Sequence, residues 1–259
     1  MNANDFAGRV RGREKLVGYW VTLDSPAAAE RIGRLGYDYV VLDAQHGLIG
    51  YQGLMTGLLA IDAGAAIGPR PSVGLVRVEA NDPTPIGRAL DAGATGVIVP
   101  LVDSADDVAR AVRAAKYPPV GVRSFGPMRA SLRIGPVPAD SNDATVVLAM
   151  IETPFGLQNV AEICATPGLD GVYVGPSDLS LALGARFPGD PEVNGPFEEA
   201  VELIARTARE AGVAAGIHTF DGESAKKRLA QGYTFATVAS DLSHLEAIAA
   251  AHLETARSE

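Results

Sequence analysis

Tyr37 to Gly47 read YDYVVLDAQHG. An aliphatic, β-branched run ends abruptly in an acid, an amide, an imidazole and a glycine. A run that is apolar on both of its alternating faces belongs to a strand buried on both sides, which is the mark of a parallel sheet covered by helices. Polar groups at the tip of such a strand need a reason. The rest of the chain repeats the pattern: further apolar runs occur at 16–23, 74–80, 96–102, 145–152, 170–176, 213–219 and 234–240. Between them lie stretches with spacing near 3.6, such as SPAAAERIGRLG, PTPIGRALDAG and FEEAVELIARTAREAG. Gly36, Gly64, Gly93, Gly212 and Gly232 stand where a helix would close on a left-handed glycine. Eight β–α units in this length predict a (β/α)8 TIM barrel, read as a single barrel domain over 1–259. Residues 118–144 break the pattern, being rich in Pro, Gly and Ser with three arginines. They read as a partly ordered segment near the barrel mouth.

Composition narrows the function. A net charge of −9 argues against nucleic acid or an anionic membrane as partner. The single cysteine, Cys164, cannot close an internal disulfide, which fits a reducing compartment. The N-terminal twenty residues lack the apolar core of a signal peptide, and no run approaches the ~18 apolar residues of a membrane span, so the expected address is cytoplasmic.

In TIM barrels the chemistry sits at the C-terminal ends of the strands. There the chain offers Trp20, then Asp43, Gln45 and His46, then Arg77 and Glu79. Later strands add Glu152, Ser177, Asp178, His218, Ser240 and Asp241. Glu152 and Asp178 are hard oxygen donors suited to a divalent cation completed by water and substrate. Arg77 suits bidentate capture of a carboxylate, and His46 exchanges protons near neutrality. The peptide groups from Gly175 to Asp178, less Pro176, suit an anion pocket. A plainer reading stands beside each one. A lone carboxylate at a strand end is more often a cap or an ion pair, Arg77 and Glu152 would make a structural salt bridge, and His46 would cap a turn.

Several motifs, in order and over nearly the whole chain, resemble the HpcH/HpaI aldolases. They are G-Y-W at 18–20, L-D-x-x-H at 42–46, V-R-V at 76–78 with N-D-P at 81–83, and Asp91 in A-L-D-A-G. V-P-L-V at 99–102, Y-P-P-x-G-x-R at 117–123, I-E-T at 151–153 and G-P-S-D-L-S at 175–180 complete the set. The resemblance implies a metal-dependent aldolase that reversibly cleaves 4-hydroxy-2-oxo acids to pyruvate, or hydroxypyruvate, and an aldehyde. Glu152 and Asp178 would hold Mg²⁺, Mn²⁺ or Co²⁺, a Lewis acid toward the developing enolate. Arg77 would bind the oxo-acid end, with Trp20, Gly175 and Ser177 lining the pocket. His46, oriented by Asp91, would be the base. No strand tip carries a lysine for imine chemistry. A citrate-lyase-like enzyme acting on an acyl-CoA or oxaloacetate-type substrate is a second reading, and a barrel that binds 2-oxo acids without turnover a third.

The chain departs from the family pattern at Gln45 (where many relatives have Glu), Met150 (often Gln), Ser124 (often Gly) and His218 (usually aliphatic). His218 reads either as a substrate-facing group or as a satisfied structural histidine. Cys164 reads as core, and His244 and His252 as the solvated side of the last helix. Arg123, Arg129 and Arg133 read as a rim attracting dicarboxylates or as an ion-paired loop. On the resemblance, the terminal helix packs on a neighbour, giving a homo-oligomer, a hexamer built as a trimer of swapped dimers.

Overall fold

Each apolar run becomes a strand: β1 (Leu16–Val21), β2 (Tyr39–Asp43), β3 (Val73–Arg77), β4 (Gly96–Val99), β5 (Val146–Ile151), β6 (Gly171–Val174), β7 (Ala214–Thr219) and β8 (Phe235–Ser240). The computed structural model describes residues 3–258. The strands pair in sequence order, all parallel, and β8 closes on β1, so the expected (β/α)8 barrel is the fold.

Two apolar zones follow from the two-residue period of a strand. One set of side chains points outward under the helices, as Val40, Leu42, Val76, Val97 and Val147 do. The other fills the barrel: Leu16, Tyr39, Val41, Leu75, Ile98, Leu148, Tyr173 and Phe235. The N-terminal helix Ala3–Arg11 closes the floor with Phe6, Ala7 and Val10. At mid-height Thr237 on β8 joins two phenols, its Oγ1 lying 2.8 Å from the Tyr39 hydroxyl and accepting from Tyr173 at 2.7 Å.

The terminal residues of several elements differ from the sequence expectation. The third run stops at Arg77 rather than 80, and the fourth at Val99 rather than 102. Pro100 lacks the N–H that would continue the ladder, and Leu101 takes a left-handed φ of 54°. Gly36, Gly93, Gly212 and Gly232 have positive φ as expected. Gly64 instead lies inside the helix Tyr51–Ile67, where a side chain would run into the Glu30 carbonyl of the helix Pro26–Gly33. Its role is close helix approach rather than capping.

Residues 118–144 are not at the mouth. They follow the helix Ala105–Ala115, which runs back from the mouth to the floor, so they lie at the N-terminal end of the barrel. Two short helices, Ala130–Arg133 and Pro138–Ala144, form within them. Their arginines are paired off: Arg123 with Asp91 at 2.6 Å, Arg133 with Asp62 at 3.0 Å, and Arg129 also with Asp62. The ion-paired loop is therefore the reading that stands, and the dicarboxylate rim does not. Among the described residues no helix is long and apolar enough to cross a membrane.

Thr237→Val keeps the side-chain shape but leaves two interior phenols without their partner. We expect a loss of about 1–3 kcal/mol in urea unfolding; an unchanged midpoint would mean that the phenols find other partners.

Candidate active site

The inward-facing period carries past the apolar interior to the strand tips. After Tyr39 and Val41 the next inward position of β2 is Asp43, and after Val73 and Leu75 that of β3 is Arg77. The ladder places Asp43 directly beside Arg77. Arg77 donates to Asp43 through Nε at 2.8 Å and Nη2 at 2.5 Å, a fork on a carboxylate. Trp20 Nε1 adds a third bond at 3.2 Å, and the amides of Gln45 and His46 bond Asp43 Oδ1 at 3.1 and 3.2 Å. Burial opposes ionisation of Asp43, but the Arg77 bonds and charge, the His46 amide and Trp20 outweigh it and hold the carboxyl below its ordinary range. Asp43 thus fixes the guanidinium, the indole and the turn that presents His46. The alternative pairing of Arg77 with Glu152 is not what forms, because Asp43 is its ladder neighbour.

Glu152 follows β5 and is 2% exposed. Its Oε1 accepts from the Leu101 amide at 2.8 Å, which accounts for the strained backbone at Leu101. Its Oε2 is buried with no hydrogen-bond partner and lies against Gly175, where a side chain would collide with it. Burial, opposed by the Leu101 amide and reinforced by the Asp178 charge, pushes Glu152 up to about 7, with Arg77 pulling the other way. An orphaned carboxylate oxygen, raised for want of a counter-charge and close to a second carboxylate, fits a hard divalent cation. Among the described residues no group of three or more His, Cys, Asp or Glu gathers for a metal, so the protein's share would be these two carboxylates.

A cavity of about 240 Å³ opens at the mouth. Trp20, His46, Arg77, Gly175, Ser177, Asp178 and His218 line it, together with Thr22, Met150, Tyr173, Pro176 and Ser240. The short helix Pro176–Ala182 starts at the cavity from Gly175, with no side chain capping its first amides. Ser240 reaches the cavity because β8 slips by one residue against β1 at Ala239, a left-handed position.

Comparison with known proteins shows the family. Residues 16–247 match the model of the HpcH/HpaI aldolase/citrate lyase family. The chain belongs to that family. A hydroxypyruvate/pyruvate aldolase of Rhizorhabdus wittichii is 41% identical, with 95% of each chain covered. A 4-hydroxy-2-oxo-heptane-1,7-dioate aldolase of Shigella flexneri is 37% identical over 95% of this chain and 92% of its own. The crystal structure of a family member from Burkholderia cenocepacia superposes with a TM-score of 0.88 at 33% identity, covering 98% of this chain and all of that one.

As an HpcH/HpaI family barrel, the chain brings together most of the residues expected from its sequence, with one clear exception. Asp91 ends the helix Pro83–Asp91, which runs from the mouth to the floor, and its carboxylate is bound to Arg123. Burial raises Asp91 against the pull of Arg123. Within one chain it does not orient His46; the groups held close to that turn are the Asp43 bonds. Glu79 is exposed and apart from the cavity, and Asp241 is structural, bonding the amides of Thr22 and Leu23. Cys164 is core, its thiol pushed up to about 12 by burial. His244 is exposed but not simply solvated, since its Nδ1 lies 2.8 Å from the Tyr19 hydroxyl. Asp43 appeared in the sequence only as one polar group among several at a strand tip; its bonds to Arg77, Trp20 and the His46 turn give it a structural role that the sequence reading did not assign. At His218 neither ring nitrogen meets a described residue, so the reading as a satisfied structural histidine finds no protein partner for it.

The raised Glu152 has a sign that can be measured. From its ordinary 4.5 up to about 7, the native state keeps a proton that the unfolded chain releases, so stability of the metal-free protein falls as pH rises through that window. Glu152→Gln cannot ionise. In chelator, the variant should gain on the order of 1–3 kcal/mol relative to wild type between pH 4.5 and 8. A stability difference independent of pH would contradict the assignment.

Proposed function

We propose that this chain is a class II aldolase that reversibly cleaves a 4-hydroxy-2-oxo acid to pyruvate or hydroxypyruvate and an aldehyde. The observation that carries the reading is the orphaned Glu152 carboxylate close to Asp178, with Asp178 and the Asp43-held Arg77 lining one cavity. Glu152 and Asp178 would hold a divalent ion, Mg²⁺, Mn²⁺ or Co²⁺. When bound, that ion supplies a Lewis acid for the oxygens of the 2-oxo acid.

The protein's own groups do the rest. Asp43 occupies Nε and Nη2 of Arg77, so the remaining guanidinium edge meets the oxo-acid oxygens and stabilises negative charge that builds there. The guanidinium is fixed before substrate arrives, so little reorganisation accompanies binding. Gly175, Ser177 and Asp178 border the same end of the substrate, and Trp20 forms a wall. His46 stands at the mouth on a turn anchored by its own amide. In cleavage it takes the C4 hydroxyl proton, directly or through water, as the C3–C4 bond breaks; the C4 oxygen becomes the aldehyde carbonyl and the bonding pair passes to the enolate of the 2-oxo acid. Protonation of C3 then completes the product. In condensation the same imidazole removes a proton from the pyruvate methyl.

We further propose that the active protein is a homo-oligomer, a hexamer built as a trimer of swapped dimers. The terminal helix Asp241–Arg257 supports this, for it buries no residue in its own chain and exposes Leu242, Leu245, Ile248 and Leu253. A role for Asp91 beside His46 would have to be supplied by a neighbouring copy.

Chelation with EDTA should abolish pyruvate release, and Mg²⁺, Mn²⁺ or Co²⁺ should restore it; indifference to chelation would remove the metal from the mechanism. His46→Ala should slow exchange of the pyruvate methyl protons in D₂O by about a hundredfold or more while leaving metal affinity unchanged. Exchange at the wild-type rate would assign the base elsewhere.

A further inference from the structure

His218 is a polar residue of the cavity that the mechanism above does not use. It lies on β7 with its ring edge-on to the Trp20 indole, centroids 5.3 Å apart. Trp20 is itself fixed, bonded to Asp43, stacked on Tyr173 with centroids 5.9 Å apart, and capped by the Arg77 guanidinium 5.0 Å from its centroid. The imidazole therefore has a rigid support and a defined orientation.

Neither ring nitrogen is bonded to a described residue. Nδ1 is shut away from solvent without a partner, so Nε2 is the nitrogen that opens to the cavity. Burial, with Arg77 adding to it, pushes the imidazole down to about 4, so the ring is neutral at physiological pH and carries one N–H. A buried bare nitrogen costs less than a buried unpaired N–H, which places the proton on Nε2. The cavity is thus offered a fixed neutral donor that no described residue satisfies.

A ligand oxygen is the natural acceptor, and the site indicates which one. Arg77, Glu152 and Asp178 serve the carboxylate and keto end. Arg77 and His218 both contact the Trp20 indole and line the same cavity, so a short acid held at Arg77 lies in the space that the imidazole faces, its carbon next to the keto group being the part left to meet it. A methyl there would leave Nε2–H unmet; a hydroxyl would receive it.

We propose that His218 selects the donor substrate, its Nε2–H bonding the C3 hydroxyl of a 3-hydroxy-2-oxo acid, so that hydroxypyruvate is preferred to pyruvate as nucleophile. This rests on the aldolase reading above and deepens it. His218 then acts as a specificity residue that touches substrate and has no part in moving protons.

The test is the ratio of kcat/KM for hydroxypyruvate to that for pyruvate, measured on the metal-loaded enzyme with one fixed aldehyde. His218→Leu should lower the ratio about tenfold, the worth of one hydrogen bond between neutral groups. His218→Gln, whose amide N–H reaches a similar point, should recover part of it. If His218→Leu does not fold, His218→Met is measured in the same way. A ratio unchanged in the apolar variant, or equal losses for both donors, would overturn the assignment of His218 while leaving the aldolase reading intact. Failure of the wild-type enzyme to turn over either donor would overturn both.

Discussion

One buried ion pair organises the mouth of this barrel. Asp43 and Arg77 are ladder neighbours on β2 and β3, and the carboxylate is 1% exposed. A buried pair of this kind is held by its geometry as much as by its charge, and removing either partner alone typically costs about 3–5 kcal/mol. Here the fork is supplemented by the Trp20 indole and by two amides of the turn that carries His46. The Arg77 guanidinium, the Trp20 indole and the turn that carries His46 are thus positioned by a single carboxylate. Much of the site's precision comes from that one residue.

The second carboxylate obeys the opposite rule. Glu152 is buried with half of its hydrogen-bonding capacity unused, and Gly175 is small where a side chain would displace it. An unsatisfied buried anion is normally a defect; it makes physical sense where a cation completes it. Asp43 is satisfied and below its ordinary range, whereas Glu152 is unsatisfied and raised. The contrast separates a satisfied acid from an unsatisfied one at the same end of the barrel, though both look alike in the sequence.

The cavity sits at one end of the barrel and the ion-paired arginines of residues 118–144 at the other. Residues 118–144 fasten the floor through Arg123, Arg129 and Arg133. The terminal helix is fastened to its own chain only near its start, through Asp241 and His244, and leaves an apolar stripe exposed, the feature that points outward to other copies.

Periodicity alone carried the fold. Strands apolar on both faces, alternating with helical stretches, leave a closed parallel barrel as the way to bury every run, and the strand tips then give Trp20, His46, Arg77, Glu152, Asp178 and His218 as one set. The motif spacing named the family. What the chain could not reveal by itself was pairing: whether Arg77 meets Asp43 or Glu152, whether Asp91 meets His46 or Arg123, and whether His218 is satisfied. Those outcomes depend on the register between neighbouring strands, on which end of a helix a residue occupies and on what else competes for it, and such three-dimensional relations leave no periodic trace in the sequence.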